Sequence, residues 1–310
     1  MSLIISKQRT IYYYSAYGLK IESEFDLSAL MASPKQKNVD VNIVKGAVKV
    51  QGYPIRKGFL VRELTPDGIV FSIKDVVNIL VQGGSSVVVE PLTRDEEKWK
   101  NFIYGSTMAA ILNQRGKFVF HASAINHQAN KAVLFLGESG CGKSSLAMSF
   151  SNTSANLISD DIVALDSTEK NICRLNLGTI KSKIYIDYLQ ALGNKRLQPI
   201  KEEFDKKVRK FPNNIAKEGL FEIKRLIFLQ INEKQNDEIL FEELDTLQTS
   251  ALLKQNIYKF SFVEDLNREK DYFEYIIDLS KKIPAYLLTR KYKTFDISEM
   301  KPKVESILLN

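Results

Sequence analysis

The chain is poor in cysteine and has no long apolar run. Only two cysteines, Cys141 and Cys173, occur among its 310 residues, which argues against a disulfide framework. No apolar stretch is long enough to span a bilayer. The N-terminal residues "MSLIISKQRTIYYY" lack an apolar segment followed by a small-residue cleavage site. These absences predict a cytoplasmic protein that has no membrane as a partner.

The chain also lacks the signatures of nucleic-acid binding, although it is basic. Its 44 Lys and Arg residues against 37 Asp and Glu residues give a formal net charge of +7, which indicates a polyanionic or acidic partner. It contains no zinc-ligand spacing, no RNP-type aromatic motif and no recognition-helix signature. We therefore expect no nucleic-acid partner, because nucleotide phosphates or an acidic peptide would satisfy the same charge.

The distribution of turn residues and β-branched runs predicts two parts. Residues 1–92 contain short β-branched runs separated by glycine and Asp-Gly, which predicts an N-terminal β-rich subdomain. From residue 93 onwards, strand-like and helix-like segments alternate, beginning with a helix that Thr93 and Glu96 would start as a capping box. Residues 93–310 are therefore predicted to form an α/β domain with a parallel or mixed sheet.

One motif carries a specific chemical prediction. The residues "GESGCGKS", Gly137 to Ser144, match the P-loop pattern G-x-x-x-x-G-K-[ST], with an apolar strand before them and a helix-forming run after them. Glycines allow backbone N–H groups to surround phosphates, and the helix directs its positive end to the same place. Lys143 would reach the β- and γ-phosphates of ATP, and the Ser144 hydroxyl would bind Mg²⁺.

We call residues 137–145 the cradle. The predicted nucleotide-binding residues are Gly137, Glu138, Ser139, Gly140, Cys141, Gly142, Lys143, Ser144 and Ser145. Cys141 is interpreted as a small residue that fits a tight loop.

Two adjacent acids follow the cradle. Asp160 and Asp161 lie between the apolar runs "NLIS" and "IVAL" of one predicted strand. Adjacent strand residues point to opposite faces, so either one carboxylate faces the nucleotide or a kink exposes both. A kinase needs an acid near Mg²⁺ and a base for the incoming hydroxyl. His121, one of only two histidines, would by residue statistics alone be a structural strand residue.

Several P-loop classes are excluded by missing motifs. The segment "GNKRLQ" at 193–198 lacks the aspartate of the N-K-x-D motif of GTPases, and no LSGGQ-type signature of ABC transporters occurs. The H-R-D and D-F-G signatures of protein kinases are also absent. A small-substrate or peptide kinase and a nucleotide-gated regulator remain.

Three elements together resemble the HPr kinase/phosphorylase superfamily: His121 in "HASAI", the "GESGCGKSS" cradle and "LISDD". This resemblance implies a P-loop kinase domain related to phosphoenolpyruvate carboxykinase, which phosphorylates a serine with Mg²⁺-ATP. An early segment, "YGLKIESEFDL" at 17–27, resembles the opening of the HPr-kinase-like proteins of ribosomal peptide biosynthesis, including lasso peptide kinases. Those relatives imply that the acceptor is the C-terminal serine of a precursor peptide.

The resemblance also implies roles for single residues. Asp160 would be the general base, Asp161 would hold Mg²⁺ with Ser144, and His121 would orient the acids beside the catalytic Lys143. The order of the two aspartates stays open. So does the acceptor, since HPr, another small protein, free serine or another small hydroxyl compound are alternatives, as is a non-catalytic ATP-binding regulator. The oligomeric state is also open, with a homo-oligomer among the options.

The chain departs from the superfamily in one motif. The run "LFEIKRLIF" at 220–228 matches the signature that supplies a metal-linked glutamate only in part, so Glu222 is interpreted as the polar start of a strand and phosphorylase activity is in doubt. The basic run at 205–214 is either a solvated loop or a clamp for phosphate or carboxylate. Arg209 and Arg290 are the candidate clamp residues, because a guanidinium binds carboxylates in a bidentate way.

Overall fold

The protein is a mixed α/β chain that divides into two compact units, Met1–Arg115 and Gly116–Asn310. The computed structural model describes residues 10–50, 60–128, 130–151, 155–166, 174–179, 181–185, 206–210, 216, 219–232, 239–290 and 297–308. Within those ranges no helix is long and apolar enough to cross a bilayer.

In the described part of the first unit, eight strands form a single sheet. Its strands are β1 (Tyr12–Ala16), β2 (Leu19–Ser23), β3 (Met31–Ala32), β4 (Val41–Lys45), β5 (Leu60–Thr65), β6 (Gly68–Ile73), β7 (Val77–Gln82) and β8 (Ser86–Pro91). They are arranged in the order β3-β1-β2-β4-β8-β7-β6-β5. Strands β5 to β8 form an antiparallel meander, and alternate residues such as Val77, Ile79 and Val81 are buried. The predicted β-rich character of this part is confirmed.

A helical segment follows the sheet in the same unit. It consists of α1 (Glu96–Phe102), a π-helical turn (Ile103–Thr107) and α2 (Met108–Gln114). The predicted cap at Thr93 is wrong, because the side chain of Asp95 accepts the Lys98 N–H and caps α1. Thr93 instead accepts the N–H of Asp95. The boundary expected after residue 92 would assign this segment to the second unit, whereas its contacts group it with the first.

Among the described residues of the second unit, nine strands form a mixed sheet and two more strands form a separate one. The large sheet consists of β9 (Phe118–Phe120), β10 (Ala122–Gln128), β11 (Lys131–Gly137), β12 (Asn156–Ser159), β13 (Val163–Asp166), β14 (Arg174–Asn176), β17 (Leu220–Ile231), β18 (Leu240–Leu244) and β19 (Ala285–Arg290). Strands β15 (Lys181–Tyr185) and β16 (Lys206–Lys210) pair with each other. Strands β11, β17 and β19 are mutually parallel, which confirms the predicted mixed sheet.

Five helices of the second unit are described: α3 (Lys143–Ser151), α4 (Thr246–Gln255), α5 (Ser261–Asp265), α6 (Glu269–Lys282) and α7 (Ile297–Leu308). Apolar side chains of α3 and α7 pack with those of β10, β11 and β17 in one buried cluster, which includes Phe135, Leu146, Phe150, Ile227, Met300 and Val304. Removing this apolar surface from water stabilises the fold by about 25 cal/mol per Å². The same packing fixes the first turn of α3 against the end of β11.

Candidate active site

Three neighbouring strands bring the predicted motifs to one edge of the large sheet. Strand β10 is antiparallel to both β11 and β12, with Ala122 opposite Leu136 and Ala124 opposite Ser159. The carboxyl ends of β11 and β12 and the amino end of β10 therefore lie at the same edge. The cradle follows β11, the aspartate pair follows β12, and His121 immediately precedes β10. Residues that are up to forty positions apart in sequence thus meet through strand pairing.

The cradle has the backbone conformation that its glycines predict. Gly137, Gly140 and Gly142 have φ values of +136°, +87° and +112°, which L side chains rarely adopt. A Cβ atom on Gly137 would lie 2.3 Å from the carbonyl oxygen of Leu229 on the neighbouring β17. Glycine is therefore required at this position by both conformation and space.

Lys143 begins α3 and lies against the cradle. Its Nζ donates hydrogen bonds to the carbonyl oxygens of Gly137 at 2.7 Å and Glu138 at 2.9 Å. The side chain is buried, whereas Glu138, Ser139 and Gly140 are exposed. The cation is thus held at the centre of an accessible loop, where a bound anion would compete with the two carbonyl groups for it.

Arg290, at the end of β19, supports the cradle through its carbonyl groups. Its Nε donates to the carbonyl oxygen of Cys141 at 2.9 Å, and Nη2 donates to that of Gly140 at 3.3 Å. Arg290 is buried, and this burial lowers the pKa of its guanidinium. Arg290 was predicted as a phosphate or carboxylate clamp, but these two bonds join it to the protein backbone. Cys141 is also buried, and burial raises the pKa of its thiol.

The two aspartates lie at a corner rather than within one strand. The predicted single strand over "ANLISDDIVALD" is wrong, because β12 ends at Ser159 and β13 begins at Val163. Asp161 has a φ of +72°, a conformation that aspartate tolerates better than most residues. The backbone therefore kinks here, but the kink does not expose both carboxylates as that alternative expected, because Asp160 stays buried.

The corner gives the two carboxylates different surroundings. Asp160 is 1% exposed, and its Oδ1 accepts a hydrogen bond of 2.5 Å from the hydroxyl of Ser123 on β10. Asp161 has 35% of its side chain exposed, and its Oδ1 lies 3.3 Å from Nε2 of His121. His121 therefore contacts the second aspartate, and Asp161 is the carboxylate that a molecule from solvent can reach.

Two further residues join this edge that no sequence motif indicated. Asn256 follows α4, and its Oδ1 accepts the N–H of Gly137 at 2.7 Å, while its carbonyl oxygen accepts the N–H of His121 at 2.8 Å. The ring of Tyr258 packs edge-on to His121 at 6.0 Å between centroids. Both lie more than 110 residues beyond the cradle, so only the fold reveals them.

The candidate Glu222 lies far from this edge. Glu222 pairs with Lys131 at the amino end of β11 and β17, whereas Gly137 pairs with Leu229. Seven residues of strand correspond to about 23 Å at 3.3 Å per residue, so Glu222 is the polar start of a strand, as interpreted. The side chain of Arg209 and residues 205 and 211–214 lie outside the described part of the chain.

The oxygen donors at this edge fit a magnesium ion shared with phosphates. Mg²⁺ is usually bound by one or two carboxylates together with waters and substrate phosphates. Within the described residues, no group of three or more His, Cys, Asp or Glu side chains could hold a metal by itself. The hydroxyl of Ser144 and the carboxylates of Asp160 and Asp161 are of the right chemical type for such a shared site.

Comparison with known proteins finds similarity only at the level of structure. No family model matches the chain, and no curated protein matches it. Among solved structures, the chain is similar to the Hpr(Ser) kinase/phosphatase from Coxiella burnetii at 13% sequence identity, covering 62% of this chain and 90% of that one, with a TM-score of 0.31. At so low a TM-score, the function has to be argued from the residues of this chain.

Proposed function

We propose that this protein is a Mg²⁺-ATP-dependent kinase of the P-loop type that transfers the γ-phosphate to a serine hydroxyl. The observation that carries the proposal is the meeting of the cradle and the His121–Asp161 pair at one edge of three paired strands. Phosphoryl transfer requires a phosphate site beside a group that accepts the hydroxyl proton. The sequence resemblance to the HPr kinase superfamily supports the same proposal through the same residues.

The cradle would hold the phosphates of ATP. Backbone N–H groups after Gly137 and at the start of α3 are oriented by the positive-φ glycines, and a helix N-terminus favours negative charge. Lys143 would leave the carbonyl groups of Gly137 and Glu138 and bond to phosphate oxygens instead. The bonds from Arg290 to the cradle carbonyls would keep the loop in place during this exchange.

Asp161 would accept the proton of the acceptor hydroxyl. Its greater exposure and its contact with His121 favour it over Asp160, which is buried and bonded to Ser123. This reverses the order first expected from the resemblance, in which Asp160 was the base. His121 would hold the Asp161 carboxylate in position, and Asp160 would hold the corner through Ser123.

Ser144 would hold Mg²⁺, and with Asp161 as the base, Asp160 is the candidate second ligand from the chain. When bound, the ion would neutralise the charge of the phosphate oxygens. The remaining contribution of the protein is positional, since catalysis of phosphoryl transfer depends mainly on alignment and charge neutralisation. The fixed strand register at this edge supplies that alignment.

The acceptor that we propose is the C-terminal serine of a ribosomally made precursor peptide of the lasso type. The support is the segment at 17–27, which resembles the opening of that group, together with "HASA" before the cradle. HPr and free serine are the competing acceptors, and an ATP-binding regulator without transfer is the competing class.

The decisive experiment is an incubation of the purified protein with Mg²⁺-ATP and a panel of acceptors, followed by intact-mass measurement. The panel contains a precursor peptide that ends in serine, the same peptide that ends in alanine, HPr and free serine. One added phosphate on the serine-ended peptide alone is the expected result. Transfer to HPr or to free serine would show that the acceptor is not the precursor peptide. Nucleotide binding without transfer to any member of the panel would contradict the proposal that the protein is a kinase.

A further inference from the structure

Asn256, the residue after α4, bonds to both halves of the proposed site. Its Oδ1 accepts the N–H of Gly137 at 2.7 Å, and its carbonyl oxygen accepts the N–H of His121 at 2.8 Å. Its Nδ2 donates to the carbonyl oxygen of Leu252 at 2.8 Å, one turn back in the helix. The residue thus connects the first residue of the cradle, the histidine and the end of a helix.

These bonds are made out of contact with water. Asn256 is 7% exposed, and Gly137 is also buried. A buried N–H that loses its acceptor has no solvent molecule to replace it, which makes such a bond costly to remove. The side chain of Asn256 is therefore held from both ends, and this in turn holds its carbonyl group on His121.

The cradle needs such a point of attachment at its first residue. Gly137 has a φ that L residues rarely adopt, and a Cβ atom there would collide with the Leu229 carbonyl. The bond to Asn256 fixes the direction of the Gly137 N–H and hence the plane in which the loop starts. His121, held by the same residue, presents its ring to Asp161 at 3.3 Å.

We infer that Asn256 is a positioning residue that holds the cradle and the His121–Asp161 pair in one fixed arrangement. The inference rests on the proposed nucleotide site, and it adds a residue that belongs to no P-loop motif. Asn256 would act through its bonds to Gly137 and His121.

The chain offers a matched control for the loss of a buried asparagine. Asn113 in α2 is 1% exposed, and its Nδ2 donates to the carbonyl oxygen of Ala109, also one turn back, at 2.9 Å. Asn113→Ala removes the same type of helix bond in the first unit, where no residue of the proposed site lies. A purely structural effect should appear in both variants alike.

A second variant isolates the bond to Gly137. In Asn256→Ser the hydroxyl can still bond to the Leu252 carbonyl, as Ser280 does to the Ile276 carbonyl at 2.7 Å. The serine side chain at position 256 is too short to reach the N–H of Gly137. This variant keeps the helix end and removes the attachment of the cradle, so it remains informative if Asn256→Ala does not fold.

The experiment measures the affinity for Mg²⁺ with a non-hydrolysable ATP analogue by calorimetry, and the imidazole resonances by NMR. Only His121 and His127 contribute imidazole signals. For Asn256→Ser and Asn256→Ala we expect affinity lower by about tenfold, the effect of losing one buried hydrogen bond. We also expect a displaced His121 resonance and an unchanged His127 resonance. Asn113→Ala should match the wild type in both measurements.

Two results would overturn the inference, and they are distinct. If the wild type binds the analogue and the Asn256 variants match it in affinity and in the His121 resonance, Asn256 has no positioning role. If the wild type itself binds no analogue, the proposed function fails, and the inference fails with it.

Discussion

Nε2 of His121 lies 3.3 Å from Oδ1 of Asp161, and both side chains are partly exposed. Neither partner is within a regular strand, since His121 precedes β10 and Asp161 occupies the corner between β12 and β13. A carboxylate held by a histidine beside a phosphate cradle is an arrangement suited to accepting a hydroxyl proton. Four neighbouring features of this edge lead, with this pair, to the following expectations.

Asp161→Asn should remove most of the phosphate transfer while leaving nucleotide affinity close to that of the wild type. A positioned general base contributes about 10²- to 10⁴-fold to rate, and asparagine keeps the shape of the side chain without its basicity. Steady-state kinetics together with a binding titration would separate the two effects. His121→Ala, which removes the contact with Asp161, should lower kcat as well. His127→Ala, which changes the other histidine near the far end of β10, is its control and should not. A greater loss of kcat in Asp160→Asn than in Asp161→Asn would restore the original order of the acids.

Lys143→Ala should weaken both nucleotide binding and transfer. The Lys143 ammonium bonds to two cradle carbonyls in the structure, and it would bond to the phosphates when the nucleotide is present. The variant loses that bond, and a hydrogen bond to a charged group contributes about 1.5–3 kcal/mol. The expected loss of affinity is therefore about 10- to 100-fold, measured by calorimetry. Lys131→Ala, at the opposite end of β11 and exposed, is the control. Equal affinities for the two variants would show that Lys143 does not bind phosphate.

Gly137→Ala should disrupt the cradle, whereas Gly116→Ala should only lower stability. Both glycines have positive φ, which costs an L residue about 1–2 kcal/mol. A Cβ on Gly116 would meet nothing within 4 Å, but on Gly137 it would lie 2.3 Å from a backbone oxygen. Thermal unfolding and nucleotide titration of both variants would test this. The explanation based on space fails if the two substitutions lower the melting temperature and the affinity to the same extent.

Arg290→Lys should lower nucleotide affinity by about tenfold, although the charge is kept. A lysine cannot reproduce the two guanidinium bonds to the Cys141 and Gly140 carbonyls, so the cradle would lose its support. Arg115→Lys is a suitable control, because Arg115 bonds to the Gly84 carbonyl in the first unit. Calorimetric titration of both variants decides the matter. An Arg290→Lys variant with wild-type affinity would mean that the cradle holds its shape without this residue.

Cys141 should react slowly with alkylating reagents in the native protein. Burial raises the pKa of its thiol, so the protein contains less of the reactive thiolate at neutral pH than an exposed cysteine would. As the pH rises towards the raised pKa, the reaction should accelerate. Peptide mapping after timed iodoacetamide treatment, with the unfolded chain as reference, should show that Cys141 is alkylated more slowly in the native protein than in the unfolded chain. A native rate equal to the unfolded rate would contradict the burial of this side chain.

The sequence predicted the local features of the site well. The strand before the cradle, the helix after it and the glycines at 137, 140 and 142 all follow from short-range requirements of conformation, and the structure confirms them. The β-rich first part could be predicted equally well, because its β-branched runs are separated by turns that contain glycine. Errors occurred where two local signals competed, as at Thr93, where Asp95 makes the cap instead.

The aspartate pair shows where local reasoning stopped. A run of β-branched residues around Asp160 and Asp161 predicted one strand, but β12 pairs with β10 and β13 pairs with β9 and β14. The chain must turn a corner to join both partners, and this corner separates the two carboxylates. Their different exposure, and therefore the order of roles that we propose, depends on partners distant in sequence.

By itself, the sequence determined which functional groups this protein has. They are a cradle whose turns require glycine, a lysine and a serine at the end of that cradle, and two aspartates and a histidine whose positions relative to the cradle the sequence did not give. The tertiary structure alone decided which acid meets His121, that Arg290 bonds to the cradle instead of to solvent, and that Asn256 joins Gly137 to His121. The physical reason is that glycine conformations and capping depend on neighbours in the chain, whereas strand register and burial depend on the packing of the whole sheet.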